Sequence, residues 1–405
     1  MSQLREAKQF VGLHARHMGF PGPYVDRVLE RITALDGDEA GSWLREWACE
    51  AEVFARQSDH RSAANLYNLA RFPCADTPGK QRAANDAARS LQSWLSRTGA
   101  GERVCAQVGG TNVPFLFRAG GHRHAPLVIL MGGIVSLKEQ WAGFLRLAPR
   151  IGCAIAIADF PGVGENTLRY ARDASNLFGA IMDAAGEACD ATRTLIVAPS
   201  FGGHLAMLHA LVDTRVRSIV TVGAPIARFF NDAATRAAMP EITRAALCHT
   251  SGVDDGELDH HLADLALTDA ELAELAIPVV YIASLRDEII PVAEWQRAVG
   301  LSDQLRVYAF DDVHGSPHHQ RETRLLILTA LCRHAGRARI ARWLERIGRW
   351  MLQIAPISHS PPISISHSTP LSIPSSIPSS IPSSIPSSTP SAPHEVSHVH
   401  ARLAS

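Results

Sequence analysis

The chain has 405 residues, 46% hydrophobic and 20% charged, enough apolar material to bury a large core in one α/β domain with an appendage or in two domains. Its 39 basic and 40 acidic residues leave a net charge of -1, so no global field favours nucleic acid or an anionic surface, and a small, neutral or mixed-polarity substrate is the expected partner. The 7 cysteines are an odd number without a CxxC pair, which argues against a disulfide framework or a zinc cluster and fits a reducing compartment.

The amino-terminal MSQLREAKQF lacks a basic region followed by an apolar stretch, and no apolar run reaches the roughly 20 residues that span a bilayer. These features predict a cytoplasmic protein with no integral membrane segment. Residues 1–100 read as helical. Trp43, Leu44, Trp47, Ala48 and Ala51 recur at helical spacing, as do Ala63, Leu66, Tyr67 and Ala70 before Pro73 ends the pattern. Two β-prone segments near 103–107 and 113–117, joined by Gly109-Gly110, predict a hairpin.

From there short apolar strands alternate with segments long enough for a helix: 126–131, 154–158, 194–198, 218–222, 278–283 and 305–310. This alternation over 101–335 predicts an α/β core, a mostly parallel sheet with helices on both faces. Residues 226–276 exceed what a crossover needs and read as a helical lid inserted at the sheet's carboxyl edge. Residues 336–355 form a basic amphipathic helix, with Ile340, Trp343, Leu344, Ile347, Met351 and Ile354 on one face and Arg339, Arg342, Arg346 and Arg349 elsewhere. Packing on its own domain is favoured over a membrane or a partner. Residues 356–405, with Ile-Pro-Ser-Ser repeats from Ile373 to Ser388, are too poor in apolar residues to fold, and are expected to be disordered and dispensable for chemistry.

The most informative run is Leu195 to Gly203, in which an apolar strand ends at Ser200 and Phe201-Gly202-Gly203 follow. A strand turning sharply into a helix at its serine holds the hydroxyl out of the sheet, beside the free N–H groups of the helix start. The pattern is G-x-S-x-G with Ala198 in place of its first glycine. A serine nucleophile needs a base, and the base needs an acid to orient it. The order for such a sheet is Ser, Asp or Glu, then His. Asp287 follows the strand at 278–283, with Glu288 as its rival, and His314 follows the strand at 305–310, with His318 and His319 as rivals.

The oxyanion of the intermediate needs preorganised donors. One candidate is the N–H of Phe201; the other is that of Ile134 or Gly133, in the Gly132-Gly133-Ile134 loop after the first core strand, with a mere tight turn as the competing reading. His204 reads as a packed or solvent-facing histidine, and Asp159 to Glu165 as a structural turn beside the site. The cluster His314, His318 and His319 lacks Cys or carboxylate ligands at metal spacing, so no metal and no cofactor are expected.

With these pieces in order, residues from about 100 to 335 resemble the α/β-hydrolase superfamily. Tyr67 to Asp76, Gly132 to Glu139 and Asp159 to Gly164 are similar to the helical cap, oxyanion loop and D-x-P-G-x-G turn of its FrsA-like esterase branch, which includes 2,6-dihydroxypseudooxynicotine hydrolase and fungal polyketide-shortening hydrolases. The resemblance implies that Ser200, Asp287 and His314 act as nucleophile, acid and base under an N-terminal cap. It also implies hydrolysis of a carboxylic ester, thioester or related acyl bond of a small, largely apolar metabolite, in degradation or secondary metabolism. Cleavage of a β-diketone type carbon–carbon bond, acyl transfer, and a catalytically silent binding protein remain alternatives. A homodimer is left open.

Overall fold

The computed structural model describes residues 3–357, apart from the side chain of His17. The expectation for the Ile-Pro-Ser-Ser tail therefore lies outside the described residues. Eight strands form one sheet: β1 (Glu102–Val108), β2 (Thr111–Arg118), β3 (Pro126–Met131), β4 (Ala154–Ala158), β5 (Asp190–Val197), β6 (Val216–Val222), β7 (Val279–Ser284) and β8 (Leu305–Phe310), in the order β1-β2-β4-β3-β5-β6-β7-β8. The β1–β2 and β2–β4 pairs are antiparallel, whereas β3 to β8 run parallel throughout. Every residue of β3 and β4 is buried, as unbroken apolar runs covered by helices on both faces require. Edge strand β1 is largely exposed and carries Glu102, Arg103 and Gln107, which discourage pairing with another chain.

From β3 the chain passes to β4 on one side and returns to β5 on the other. This reversal opens a crevice at the carboxyl edge between the loops after β3 and β5. Those loops contain Gly132-Gly133 and Ala198-Pro199-Ser200, and the crevice is where a site is to be sought.

Five helices precede the sheet: α1 (Gln3–His17), α2 (Gly22–Arg31), α3 (Trp43–Arg56), α4 (His60–Ala70) and α5 (Pro78–Thr98). Helix α3 starts at Ser42, which accepts from the Arg45 N–H; α5 starts at Thr77 with Pro78 following and stops at left-handed Gly99. Trp43, Trp47, Phe72, Val25 and Val28 form their common apolar interior, which Ile242 of the lid joins. The Glu6 carboxylate accepts the Ile242 N–H at 3.3 Å, so the helical cap and the lid meet directly.

The lid comprises helices Arg228–Asn231, Ala233–Ala238, Glu241–Ser251, Asp255–Ala263 and Asp269–Glu274. Its entry is fixed by buried Glu294, which accepts from the N–H groups of Ile226, Ala227 at 2.9 Å, Arg228 at 2.6 Å and Phe229 at 3.2 Å. Four charge-assisted bonds satisfy a helix start that would otherwise bury unpaired donors.

The final helix, Ala338–Met351, docks on helix Gln320–His334, but not through the whole expected stripe. Ala341, Leu344 and Gly348 are buried, with Ile354 beyond the helix, while Ile340, Trp343, Trp350 and Met351 are exposed. Leu344 packs with Ala341 against Cys332, and small Gly348 lies against Leu325; the exposed apolar residues sit beside that seam. Among the described residues no helix is long and apolar enough to cross a membrane.

Candidate active site

Ser200 sits between the end of β5 and helix Phe201–Ala210, with φ 54° and ψ -136°. A non-glycine residue is strained there, by about 1–3 kcal/mol, and persists only where its surroundings hold it. The Ser200 N–H donates to Val222 O at 2.7 Å, the Ala198 N–H to Val220 O at 2.9 Å, and the Thr221 hydroxyl to Ala198 O at 2.7 Å. A Cβ on Gly202 would fall 2.6 Å from Gly132 O and 3.0 Å from Met131 O, so the backbone itself requires glycine there, whereas the Ala198 methyl at 3.4 Å would be an ordinary contact. A Cβ on Gly203 would fall 2.0 Å from the Thr221 hydroxyl, so glycine is obligatory there.

The three side chains separated in sequence meet at this edge. His314 Nδ1 lies 2.9 Å and 3.0 Å from the two Asp287 carboxylate oxygens, and its Nε2 lies 3.0 Å from Ser200 Oγ. A carboxylate can only accept, so Nδ1 carries the proton and Nε2 is left to accept from the serine hydroxyl. Burial disfavours the imidazolium, but the charge and hydrogen bond of Asp287 and the charge of Glu288 outweigh it, and the His314 pKa stands above 6.5. The Asp287 carboxylate also accepts the N–H groups of Ile289 and Ile290, at 2.9 and 2.8 Å, which fixes its orientation.

Each rival has another partner. Glu288 accepts the backbone N–H of His314 at 3.0 Å. His318 and His319 donate through Nδ1 to the carboxylate of buried Asp312, at 2.7 and 2.9 Å, as do their backbone N–H groups at 2.7 and 3.2 Å. His204 is wholly buried, accepts from the Tyr170 hydroxyl at 2.8 Å and donates to Leu265 O at 2.8 Å; burial pushes its pKa down to about 3.

Gly133 abuts the serine: a Cβ there would lie 3.0 Å from Ser200 Cβ and 3.7 Å from the Phe201 nitrogen. Phe201 opens its helix, so its N–H has no partner within that helix. Ile134, the next residue, is buried and lines a neighbouring cavity. The loop carrying them is tied to the turn after β4 by buried Lys138, whose ammonium lies 2.7 Å from Asp159, 2.8 Å from Glu165 and 3.0 Å from Glu139. The Lys138 N–H adds a 2.6 Å bond to Asp159. The turn expected to be structural thus braces the loop beside the serine.

Sequence reasoning passed over Gly223, Asp312 and Arg71. Gly223, at φ 60° after β6, leaves room that a Cβ would take from His314 Cε1 at 3.0 Å and Asp287 Oδ2 at 3.2 Å. A glycine directly after a core strand was its available signal. Arg71 is buried and donates to Val135 O, joining the end of α4 to the loop after β3.

A serine on a strained strand-to-helix elbow, faced by an Asp-oriented imidazole at the carboxyl edge of such a sheet, defines an α/β-hydrolase fold. A family model described as Esterase FrsA-like matches residues 29–268, and the chain belongs to this family. Esterase FrsA of Enterobacter sp. (strain 638) is 25% identical over 277 residues, 62% of this chain and 65% of that protein. Esterase FrsA of Escherichia coli O139:H28 (strain E24377A / ETEC) is 24% identical over 253 residues, 55% and 59% respectively. The chain thus spans less than two thirds of the length of these relatives. Among solved structures, AbyA5 wildtype is 36% identical with a TM-score of 0.80, covering 85% of this chain and 100% of that one. The 2,6-dihydroxy-pseudo-oxynicotine hydrolase, 22% identical with a TM-score of 0.62 over 75% and 88% of the two chains, shares the fold. The family match includes Ser200 but ends before Asp287 and His314, whose roles rest on their geometry.

Proposed function

We infer that the protein is a serine hydrolase that cleaves an ester, thioester or related acyl bond of a small metabolite through a covalent acyl-enzyme. The observation that carries this reading is the pair of contacts on one imidazole, 3.0 Å to Ser200 Oγ and 2.9 Å to Asp287. His314 Nε2 takes the hydroxyl proton as Ser200 Oγ attacks the substrate carbonyl, and Asp287 stabilises the imidazolium that results. The tetrahedral oxyanion lies against the N–H of Phe201 and that of Gly133 or Ile134, donors fixed before the charge develops. Collapse expels the alcohol or thiol, which receives the proton from His314. The same imidazole then draws a proton from water, which attacks the acyl-enzyme and releases the acid.

A fluorophosphonate probe tests the assignment, because only an activated serine forms the stable phosphonyl ester. Labelling of the wild-type protein and its loss in Ser200→Ala are expected. Undiminished labelling of Ser200→Ala rules out Ser200 as nucleophile.

A further inference from the structure

The cavity beside the oxyanion loop is lined by a buried cation that no carboxylate of the described residues contacts. It encloses about 300 Å³, and Arg71, Gln81, Ile134, Asn166, Arg169 and His249 are among its lining residues. It is therefore bounded by the end of α4, the loop after β3, the turn after β4 and the lid helix Glu241–Ser251. The Gly133-Ile134 segment is common to cavity and nucleophile: Ile134 lines the first, and Gly133 abuts Ser200.

Arg71 is 2% exposed, and its guanidinium donates only to uncharged oxygens. Nε and Nη2 reach Asn68 Oδ1 at 3.2 and 2.8 Å, Nη1 reaches Pro73 O at 2.7 Å, and Nη2 also reaches Val135 O. These four bonds leave one of the five N–H donors over. They satisfy hydrogen bonding without cancelling the charge. Burial pushes the Arg71 pKa down to about 10, which still leaves it protonated at neutral pH.

Among the described residues no carboxylate lies within ion-pair distance of Arg71. Asp159 and Glu139 act on Arg71 only from beyond contact distance and share Lys138, while Asp76 pairs with Lys80 at 3.1 Å. Arg169 adds a second cation to the lining, while burial lowers the pKa of His249 and keeps it a neutral hydrogen-bonding group. Burial outweighs the longer-range attraction of Asp159 and Glu139, and an anion entering the cavity would supply the contacting counter-ion that Arg71 lacks.

We propose that this cavity receives an anionic group of the acyl substrate, a carboxylate or an equally acidic oxygen anion, and that Arg71 selects for it. The assignment rests on the hydrolase reading of Ser200 for the word substrate, but the charge preference is a separate property of the cavity. The substrate is then an amphiphile with one acidic end, and neutral esters of the same shape are poorer ligands.

Calorimetric titration of Ser200→Ala with benzoate and with benzamide separates charge from shape, since the two probes are of nearly equal size. Benzoate is expected to bind at least tenfold more tightly. In Ser200→Ala/Arg71→Gln that preference is expected to vanish, and Arg71→Lys, which keeps the charge without the planar fork, retains part of it. Equal affinities in Ser200→Ala, or no binding of either probe, overturn the proposal without any Arg71 variant being needed. So does a cooperatively melting Arg71→Gln variant that keeps the preference or weakens both probes equally, the second being the mark of a purely structural arginine. Hydrolysis of a neutral ester by the wild-type protein reports on Ser200 alone. Its absence beside an intact benzoate preference would sink the catalytic reading and leave the anion site standing.

Discussion

Ser200 and His314 show how much of the site is decided atom by atom. The serine is held in a backbone conformation that only its neighbours' hydrogen bonds sustain, and the imidazole is poised by two carboxylates of different use. Asp287 faces the ring, whereas Glu288 takes the backbone N–H. Because the base must be neutral to accept a proton and its pKa is raised above 6.5, kcat/KM for an ester is expected to fall as pH drops through that raised value. Asp287→Asn removes the charge that raises it. The expected outcome is an acid limb shifted to lower pH together with a loss of about 10³–10⁴-fold in kcat, read from a pH–rate profile. An unshifted limb would show that another group titrates. From the sequence, Ser200, Asp287 and His314 were legible because each directly follows an apolar strand, and strand ends collect at one sheet edge. Asp287 was preferred there with Glu288 as its rival; which of the two faces the ring depends on the direction in which the loop turns them.

At the scale of elements, the loop from Asp311 to His319 is organised around one carboxylate. Asp312 is fully buried and accepts from Val313, His318 and His319, through backbone N–H groups and two imidazoles. Burial raises its pKa, but these bonds outweigh it and bring it down to about 2, against an ordinary 3.8. Its contribution to stability is therefore complete above pH 3.8 and disappears as pH falls through about 2. Asp312→Ala leaves several buried donors unpaired and is expected to destabilise the fold by about 2–4 kcal/mol in denaturant melts at neutral pH. The difference between variant and wild type should narrow under acid; a constant difference from pH 7 to pH 2 would contradict this account. Sequence reading took His318 and His319 as rivals of His314, because spacing places three histidines in one loop but does not say which carboxylate each ring meets. Lys138 was hidden for the same reason: Asp159 and Glu165 reach it from across the sheet edge, and only the folded chain brings them together.

Over the whole molecule, the strands and the helical region before them were readable from periodicity, since β3 and β4 are unbroken apolar runs, β5 ends in one, and the indole-bearing face of α3 repeats at helical spacing. What periodicity does not carry is how cap, lid and sheet edge meet, and that meeting makes the cavity at Arg71, as it makes the contact between Glu6 and Ile242. The helix Ala338–Met351 likewise read as amphipathic, yet only Leu344 of the expected face is buried within it, beside Ala341 and Gly348, which are too small to mark a face by hydropathy. All residues assigned to catalysis lie before Ile357. A chain ending there keeps every side chain assigned to the chemistry and is expected to keep its kcat/KM within about twofold; a larger loss would assign the segment 358–405 a part in turnover. The acyl-enzyme itself is the central claim, and rapid quenching with an activated ester followed by peptide mass spectrometry tests it most directly. The account requires an acyl adduct on the peptide containing Ser200 that builds up within the first turnovers and is absent from Ser200→Ala. Steady turnover with no adduct, or an adduct on another residue, would contradict it.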